Sequence, residues 1–331
     1  MNPAAVECGL LVTTSPMQAV LTAALPVFAL ILTGWLAARW RVLGPSATDA
    51  LNRYVVYLSL PALLFRAMAQ ADLRQLADYW DFTAAVAGGI ALTFGAAILA
   101  CRRDGARLTD LSLEGLATSY GNAGYMGIPL CLALLGPASL APAIITTLLT
   151  ACVLFGVAIA LIEFDQHRDR HWSATLLKVA RALLRNPLLA APLLGLACAA
   201  AGIWSATLLK VARALLGASA SPCALVTIGL FLAQSQPGGD RGTVGLMVGG
   251  KLLLHPAVTA VLAFAVFDMP PLWAWCAVLM AALPIGTGPF MLAQLYGRDA
   301  RPSSRAILLS TVLSVPTITA LVAWIGRQPL G

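Results

Sequence analysis

The sequence predicts an all-α polytopic membrane protein. About ten transmembrane helices are expected, as a 5+5 inverted repeat with broken, crossing helices 4 and 9. Three observations carry this expectation. Of the 331 residues, 60% are hydrophobic and only 11% are charged. The apolar residues fall into ten runs separated by short polar loops. Two of those runs, at matching places in the two halves, are interrupted by glycine and proline.

A soluble domain runs near ~45–50% apolar and ~25% charged. A mean hydropathy of +0.84 leaves a water-soluble enzyme nowhere to put its apolar surface. Disorder is excluded by the low charge, and a collagen-like fibre by the lack of a Gly-x-y period. A net charge of +7 would elsewhere suggest nucleic acid. Here the cations sit between apolar runs, where they orient helices, so no nucleic-acid site is read. The seven cysteines (Cys8, Cys101, Cys131, Cys152, Cys198, Cys223, Cys276) are scattered without a C-x-x-C pair. They read as small apolar residues of the helices, not as metal ligands or a disulfide framework. No cofactor and no metal are expected.

The runs lie at about 19–38, 51–69, 80–100, 112–135, 140–163, 187–203, 222–236, 243–267, 271–295 and 305–325. No basic residue precedes the first run, which ends in Arg39-Trp40-Arg41 instead of a small-residue cleavage site. It therefore reads as a retained span and not a signal peptide. Span 2 carries Pro61 in its interior, spans 3 and 5 are uninterrupted, and span 7 is short.

Loops following odd-numbered spans hold fifteen of the twenty-one Lys and Arg; the alternate set holds five, and Lys251 falls inside span 8. Cytoplasmic loops are the cation-rich ones. Both termini then face outward from a cytoplasmic (inner or plasma) membrane, which the protein crosses many times.

Residues 1–163 form the first five-helix unit, 164–186 a charged cytoplasmic linker with an amphipathic helix, and 187–331 the second unit. Five spans per unit insert the two halves in opposite directions, and the halves echo each other. Pro61-Ala-Leu-Leu-Phe65 in span 2 is matched by Pro222-Cys-Ala-Leu-Val226 in span 7. Gly121-Asn-Ala-Gly-Tyr-Met-Gly-Ile-Pro129 in span 4 is matched by Pro284-Ile-Gly-Thr-Gly-Pro289 in span 9. Corresponding breaks of this kind point to an inverted-repeat transporter.

A second repeat is of another kind. Trp172 to Leu184 recurs unchanged at Trp204 to Leu216. Lys178 and Arg181 share one helical face and Leu176, Leu177, Ala180 and Leu184 the other, which suits a helix lying in the membrane surface. The copies flank span 6 and so fall on opposite sides. Either a recent local duplication or an error in the sequence accounts for them, and no function follows.

Backbone freed by a break cannot face lipid, so each break must be buried in protein or line a wet cavity. A half-helix N-terminus carries about half a positive charge and free N–H groups, which makes it a seat for an anion. The candidate substrate-binding residues are therefore Gly121, Asn122, Ala123, Gly124 and Pro129 at the first break. At the second they are Pro284, Gly286, Thr287 and Gly288. Asn122 supplies an amide, Thr287 a hydroxyl. Lys251, about eight residues into span 8, is a candidate for coupling or charge compensation, with lysine snorkelling as the alternative. His255 reads as a neutral helix residue. His167 and His171, interleaved with Arg168 and Arg170, read as a solvated loop.

These motifs resemble the auxin efflux carrier family of permeases, related to bile acid/sodium symporters. The resemblance rests on Gly121 to Leu130, Leu58-Ser-Leu-Pro-Ala-Leu-Leu-Phe65, Lys251-Leu-Leu-Leu-His-Pro256, Leu283-Pro284 with Ala293-Gln-Leu-Tyr-Gly297, and Ser310-Thr-Val-Leu-Ser314. It runs from about Met17 to the end of span 10. It implies a crossover of spans 4 and 9 at their prolines (Pro129 and Pro284), and elevator-type transport of organic anions such as malonate or auxin-like carboxylates. Family members often carry Asn after the span 9 proline, where this chain has Gly288-Pro289. Met17, where the match begins, is a candidate true start.

The expected partners are a small organic anion and the lipid bilayer, with proton or sodium coupling and a homodimer left open. The predicted interior has no obvious acidic residue: Glu114 and Glu163 lie near span ends and Asp268 in a loop. The Lys251 ammonium is therefore expected to replace a bound cation. A channel or a non-transporting sensor is the alternative. An intramembrane enzyme ranks last, because no G-x-G-D, G-x-S-x-G or H-E-x-x-H occurs.

Overall fold

The computed structural model describes residues 25–69, 79–103, 105–166, 187–201, 218–234 and 240–328. Among these every regular element is a helix. The first unit runs α1 (Leu25–Arg39), α2 (Pro45–Tyr54), α3 (Leu60–Ala69), α4 (Trp80–Ala100), α5 (Leu108–Ser119), α6 (Ile128–Leu135), α7 (Leu140–Leu148) and α8 (Phe155–Gln166). The second runs α9 (Pro187–Ala200), α10 (Ala218–Ala233), α11 (Arg241–Gly249), α12 (His255–Val261), α13 (Pro271–Ala281), α14 (Gly288–Leu295) and α15 (Arg301–Ile325).

Among the described residues, four continuous helical stretches are long and apolar enough to cross a membrane: Trp80–Ala100, Pro137–Gln166, Arg241–Val266 and Arg301–Ile325. They coincide with expected spans 3, 5, 8 and 10. The other apolar runs hold shorter or interrupted helices. Boundaries shift where local chemistry dictates. Span 2 starts early, at Pro45, because proline in a first turn costs no hydrogen bond. Helix α8 runs on to Gln166, into the stretch expected as linker. The rest of that linker, both copies of the thirteen-residue repeat, His167, His171, Cys8 and Met17 lie outside the described residues.

Among the described residues five wide π-turns interrupt the helices, and three of them lie at Val55–Ser59, Ala123–Gly127 and Gly250–Leu254. Of these three, each ends two residues before a proline: Pro61, Pro129 and Pro256. Proline lacks an N–H, and its ring crowds the carbonyl four residues back. A widened turn accommodates both defects without breaking the rod. The prolines therefore shape the helices that contain them and do not end them.

Helix α1 packs along α10, and α3 along α9. Small residues let these backbones approach. A Cβ at Gly229 would fall 2.0 Å from the Ile31 carbonyl oxygen, and one at Gly195 2.3 Å from that of Phe65. A second group holds α4, α5, α8 and α11 to α15, with α4 against α5 and α12, and α13 against α7 and α12. Its interior is apolar and closely filled, with Phe82, Leu116, Met126, Ile144 and Ile162 fully buried. The described cysteines are free, and Cys131 and Cys276 meet at 3.8 Å between α6 and α13.

Candidate functional site

The chain leaves α5 at Ser119 and turns extended at Tyr120. Between α13 and α14 it is likewise non-helical around Pro284. These two stretches meet antiparallel. The Asn122 N–H donates to the Pro284 carbonyl at 2.9 Å, and the Gly286 N–H to the Tyr120 carbonyl at 3.0 Å. Gly121 and Ile285 thereby form an isolated β-bridge. The Ile285 N–H donates to Ser310 Oγ on α15 at 3.1 Å. Polar backbone exposed by the two breaks thus finds partners inside the protein. Glycine is required beside Tyr120: a Cβ at Gly286 or Gly288 would lie 2.8 or 2.7 Å from its ring.

Helix polarity divides the crossing into two sides. The π-turn leading into α6 starts at Ala123 and α14 at Gly288, so N–H ends converge on one side. Asn122 caps the first of these starts, its carbonyl accepting from Met126 and Gly127 at 3.1 Å. Asn122 is 7% exposed, and its side chain has no hydrogen-bond partner among the described residues. That amide faces a cavity of about 40 Å³, shared with Gly121, Ala123, Gly124, Thr150, Gly286 and Thr287. Tyr125 and Thr287 also line a larger pocket of about 710 Å³. That pocket extends to Thr48 and Asn52 on α2, Thr227 and Phe231 on α10, and Arg298 and Arg301. Tyr125 Oη donates to Asn52 Oδ1 at 3.0 Å, where the two helix groups meet.

The sequence profile of the family described as "Membrane transport protein" matches residues 19–322. This chain belongs to that family. The resemblance to auxin efflux carrier permeases is thereby confirmed at family level. A protein of Rhizobium meliloti (strain 1021) named "Putative malonate transporter" is 31% identical over 301 residues, covering 90% of this chain and 93% of the relative. An "Uncharacterized transporter" of Methanothermobacter thermautotrophicus is 27% identical over 302 residues, covering 89% and 94%.

On the opposite side of the crossing in this membrane transport protein, α5 and α13 present their C-terminal carbonyl ends. Lys251, in the π-turn between α11 and α12, is fully buried there and its ammonium donates to the Ala281 carbonyl at the end of α13. A Cβ on Gly121 would lie 3.4 Å from Lys251 Nζ, so the lysine reaches the crossing itself. The ammonium is an internal contact and not a snorkelling one. His255, one turn on, is 4% exposed and its Nδ1 has no hydrogen-bond partner among the described residues.

Most of the sequence-derived candidates gather at this point. Gly121, Asn122, Ala123, Gly124, Gly286 and Thr287 line the small cavity. Pro284 contributes its carbonyl to the bridge, and Gly288 opens α14 against Tyr120. Pro129 sits apart, in the first turn of α6 beyond the π-turn, and lines neither cavity. The crossing is therefore made by Gly121 and Asn122 against Pro284 and Ile285, and only one of the two prolines takes part.

Sequence reasoning missed Tyr120, Tyr125, Asn52 and Ser310. Tyr125 and Ser310 lie inside the motifs already quoted. Asn52 is a lone amide at the start of an apolar run, a signal of the same kind that singled out Asn122.

Cations at one end of the pocket are engaged by acids. Arg298 chelates Asp110 on α5 at 2.6–3.0 Å, and Arg301 pairs with Asp299 at 2.8 Å. Glu114, 6% exposed, is held by Arg103 at 2.8 Å, so no bare acid is left at that position.

Proposed function

We propose that the chain is a secondary transporter of small organic anions, carboxylates such as malonate or auxin-like acids, working by elevator-type alternating access. One observation carries the reading. Two half-helix N-termini and the unpartnered Asn122 amide surround a cavity that joins a pocket large enough for a solute. Each dipole contributes ~1–2 kcal/mol where partly buried, which favours a small anion without trapping it. A relative's name specifies malonate, which fits a seat for a carboxylate.

Helix pairing supports the 5+5 repeat. Exchanging span 1 with span 6 and span 2 with span 7 turns the α1–α10 contact into the α9–α3 contact, and both are present. The division into two helix groups, meeting at the Tyr125–Asn52 bond, supports movement of one group against the other. The Lys/Arg asymmetry supports outward termini and a cytoplasmic-membrane location.

Lys251 is assigned to charge compensation. Its ammonium occupies the carbonyl side of the crossing, where a coupling cation would otherwise sit, and transport is accordingly sodium-independent. Replacing sodium by choline in proteoliposome uptake of malonate is expected to leave the rate unchanged; an absolute sodium requirement would contradict this role. The site itself is tested by Asn122→Ala. Saturable malonate counterflow is expected to vanish in that variant while the protein still inserts and purifies. Wild-type counterflow would remove Asn122 from the site.

A further inference from the structure

We propose that a groove between the end of α4 and the start of α5 binds the headgroup of an anionic phospholipid. The groove, of about 580 Å³, lies outside the crossing and its pocket, and the proposal does not depend on what the chain carries. Ile98 and Leu99 of α4 and Leu108 and Leu111 of α5 supply its apolar part. Arg102, Arg103 and Arg107 supply the charged part. The loop that carries these arginines turns through Gly105, at a φ of 76°.

Two of the three guanidiniums are uncommitted. Arg103 chelates Glu114 at 2.8 and 3.0 Å and also donates to the Cys101 carbonyl. Arg102 and Arg107 are exposed and have neither an ion pair nor a hydrogen bond among the described residues. The acid in the wall, Asp165 on α8, accepts from the Thr109 N–H at 3.1 Å and from its hydroxyl at 2.7 Å, so it serves the first turn of α5. Asp104, the acid within the loop sequence, lies outside the described residues.

The position of the groove decides which anion fits it. Helix α4 is long and apolar enough to cross a membrane, and Leu92 and Leu99, on one face of it, are 57% and 68% exposed. In a bilayer that face meets acyl chains, and it runs up to Arg102. The loop after span 3 belongs to the cation-rich set, which places this end at the cytoplasmic surface, where anionic lipids attract basic side chains. A phospholipid satisfies both parts of the groove. Its chains lie along Leu92 and Leu99, and its phosphate meets Arg102 and Arg107, whose planar N–H forks match phosphate oxygens. A soluble phosphate would use the charged part alone.

The test is thermal unfolding of the full chain purified in detergent, with dioleoyl phosphatidylglycerol, dioleoyl phosphatidylcholine or inorganic phosphate added. Phosphatidylglycerol is expected to raise the Tm by about 3 °C, the shift given by a ligand near ten times its Kd. Phosphatidylcholine and inorganic phosphate are expected to leave it unchanged. Arg102→Gln combined with Arg107→Gln is expected to unfold at the wild-type temperature without lipid and to lose the rise. Arg39→Gln combined with Arg41→Gln, at two exposed arginines of another cation-rich loop, is expected to keep it. The site is overturned by no rise with phosphatidylglycerol, by equal rises with the two lipids, by a rise that survives in the Arg102/Arg107 variant, or by one lost equally in the Arg39/Arg41 variant. A rise produced by inorganic phosphate alone assigns the arginines to a soluble anion and overturns the lipid as occupant.

Discussion

The two sides of the crossing are built from the same stretches of backbone, yet they are opposite in charge and in contents. On the N-terminal side, helix starts and the Asn122 amide surround open volume. On the C-terminal side, the carbonyl ends of α5 and α13 are met by the fully buried Lys251. Any pair of antiparallel broken helices creates both an anion seat and a cation seat, because the macrodipole has two ends. This chain fills the second seat with its own ammonium and leaves the first open, where the proposed function seats the solute. The difference between the sides is thus covalent on one and exchangeable on the other.

The sharpest way to break that comparison is to remove the ammonium and keep its volume. Lys251→Met is close in size, and replacing a buried charge with a packed apolar group is often neutral or stabilising. Folding and insertion are therefore expected to survive. Malonate counterflow is expected to fall by roughly 100-fold, equivalent to about 3 kcal/mol in the transport barrier. A variant transporting near the wild-type rate would show that the lysine is packing and that the two sides are not functionally paired.

Gly288 offers a way to sharpen the comparison on the open side. Auxin efflux carriers often have asparagine near this place, but here a Cβ would lie 2.7 Å from the Tyr120 ring. The tyrosine occupies room that a longer side chain at 288 would need. Gly288→Asn alone is expected to lower the counterflow rate about tenfold and to reduce thermal stability, because overpacking typically costs ~1–3 kcal/mol. Adding Tyr120→Ala should restore part of both, since residues in contact couple by ~0.5–3 kcal/mol. Strictly additive losses in the double variant would separate the two positions.

Much of this site could be read from residue order, for identifiable reasons. Glycine and proline mark where helical backbone must fail, so Gly121, Asn122, Pro284 and Gly286 were visible as a pair of interruptions. Uniform apolar stretches such as Phe82 to Ala100 have no competing structure to adopt in lipid and emerge as helices. Proline by itself was a less faithful signal. Pro129 is absorbed by the π-turn before it, and no rule of spacing separates an absorbed proline from one at a break. The place of Tyr120 was hidden for another reason. Its partners Gly286 and Gly288 are distant in sequence, and the vacancy they leave exists only once the breaks cross. The carbonyl that receives Lys251 belongs to Ala281, thirty residues away, and a backbone acceptor leaves no mark in the side-chain sequence.

The smallest expected effect concerns the border between the two helix groups. Tyr125 belongs to the crossing, and its hydroxyl is bonded to Asn52 on α2, the helix that carries Thr48 and Asp49 into the same pocket. A hydrogen bond of this kind is worth about 1 kcal/mol net. If one group slides against the other during transport, that bond exists in one arrangement only, and its loss shifts the balance between arrangements by up to ~5-fold. Tyr125→Phe keeps the ring that separates the small cavity from the pocket, so binding of a carboxylate at Asn122 is expected to change little. Counterflow of malonate should change by a few-fold, with the shift between the two arrangements detectable as changed labelling of a cysteine placed at Asp49, which lines the same pocket and leaves the Tyr125–Asn52 bond intact. An equal change in malonate affinity and no change in labelling would place the tyrosine in the substrate contact itself, and the division of the molecule into a fixed and a moving group would lose its only polar fastener at this point among the described residues.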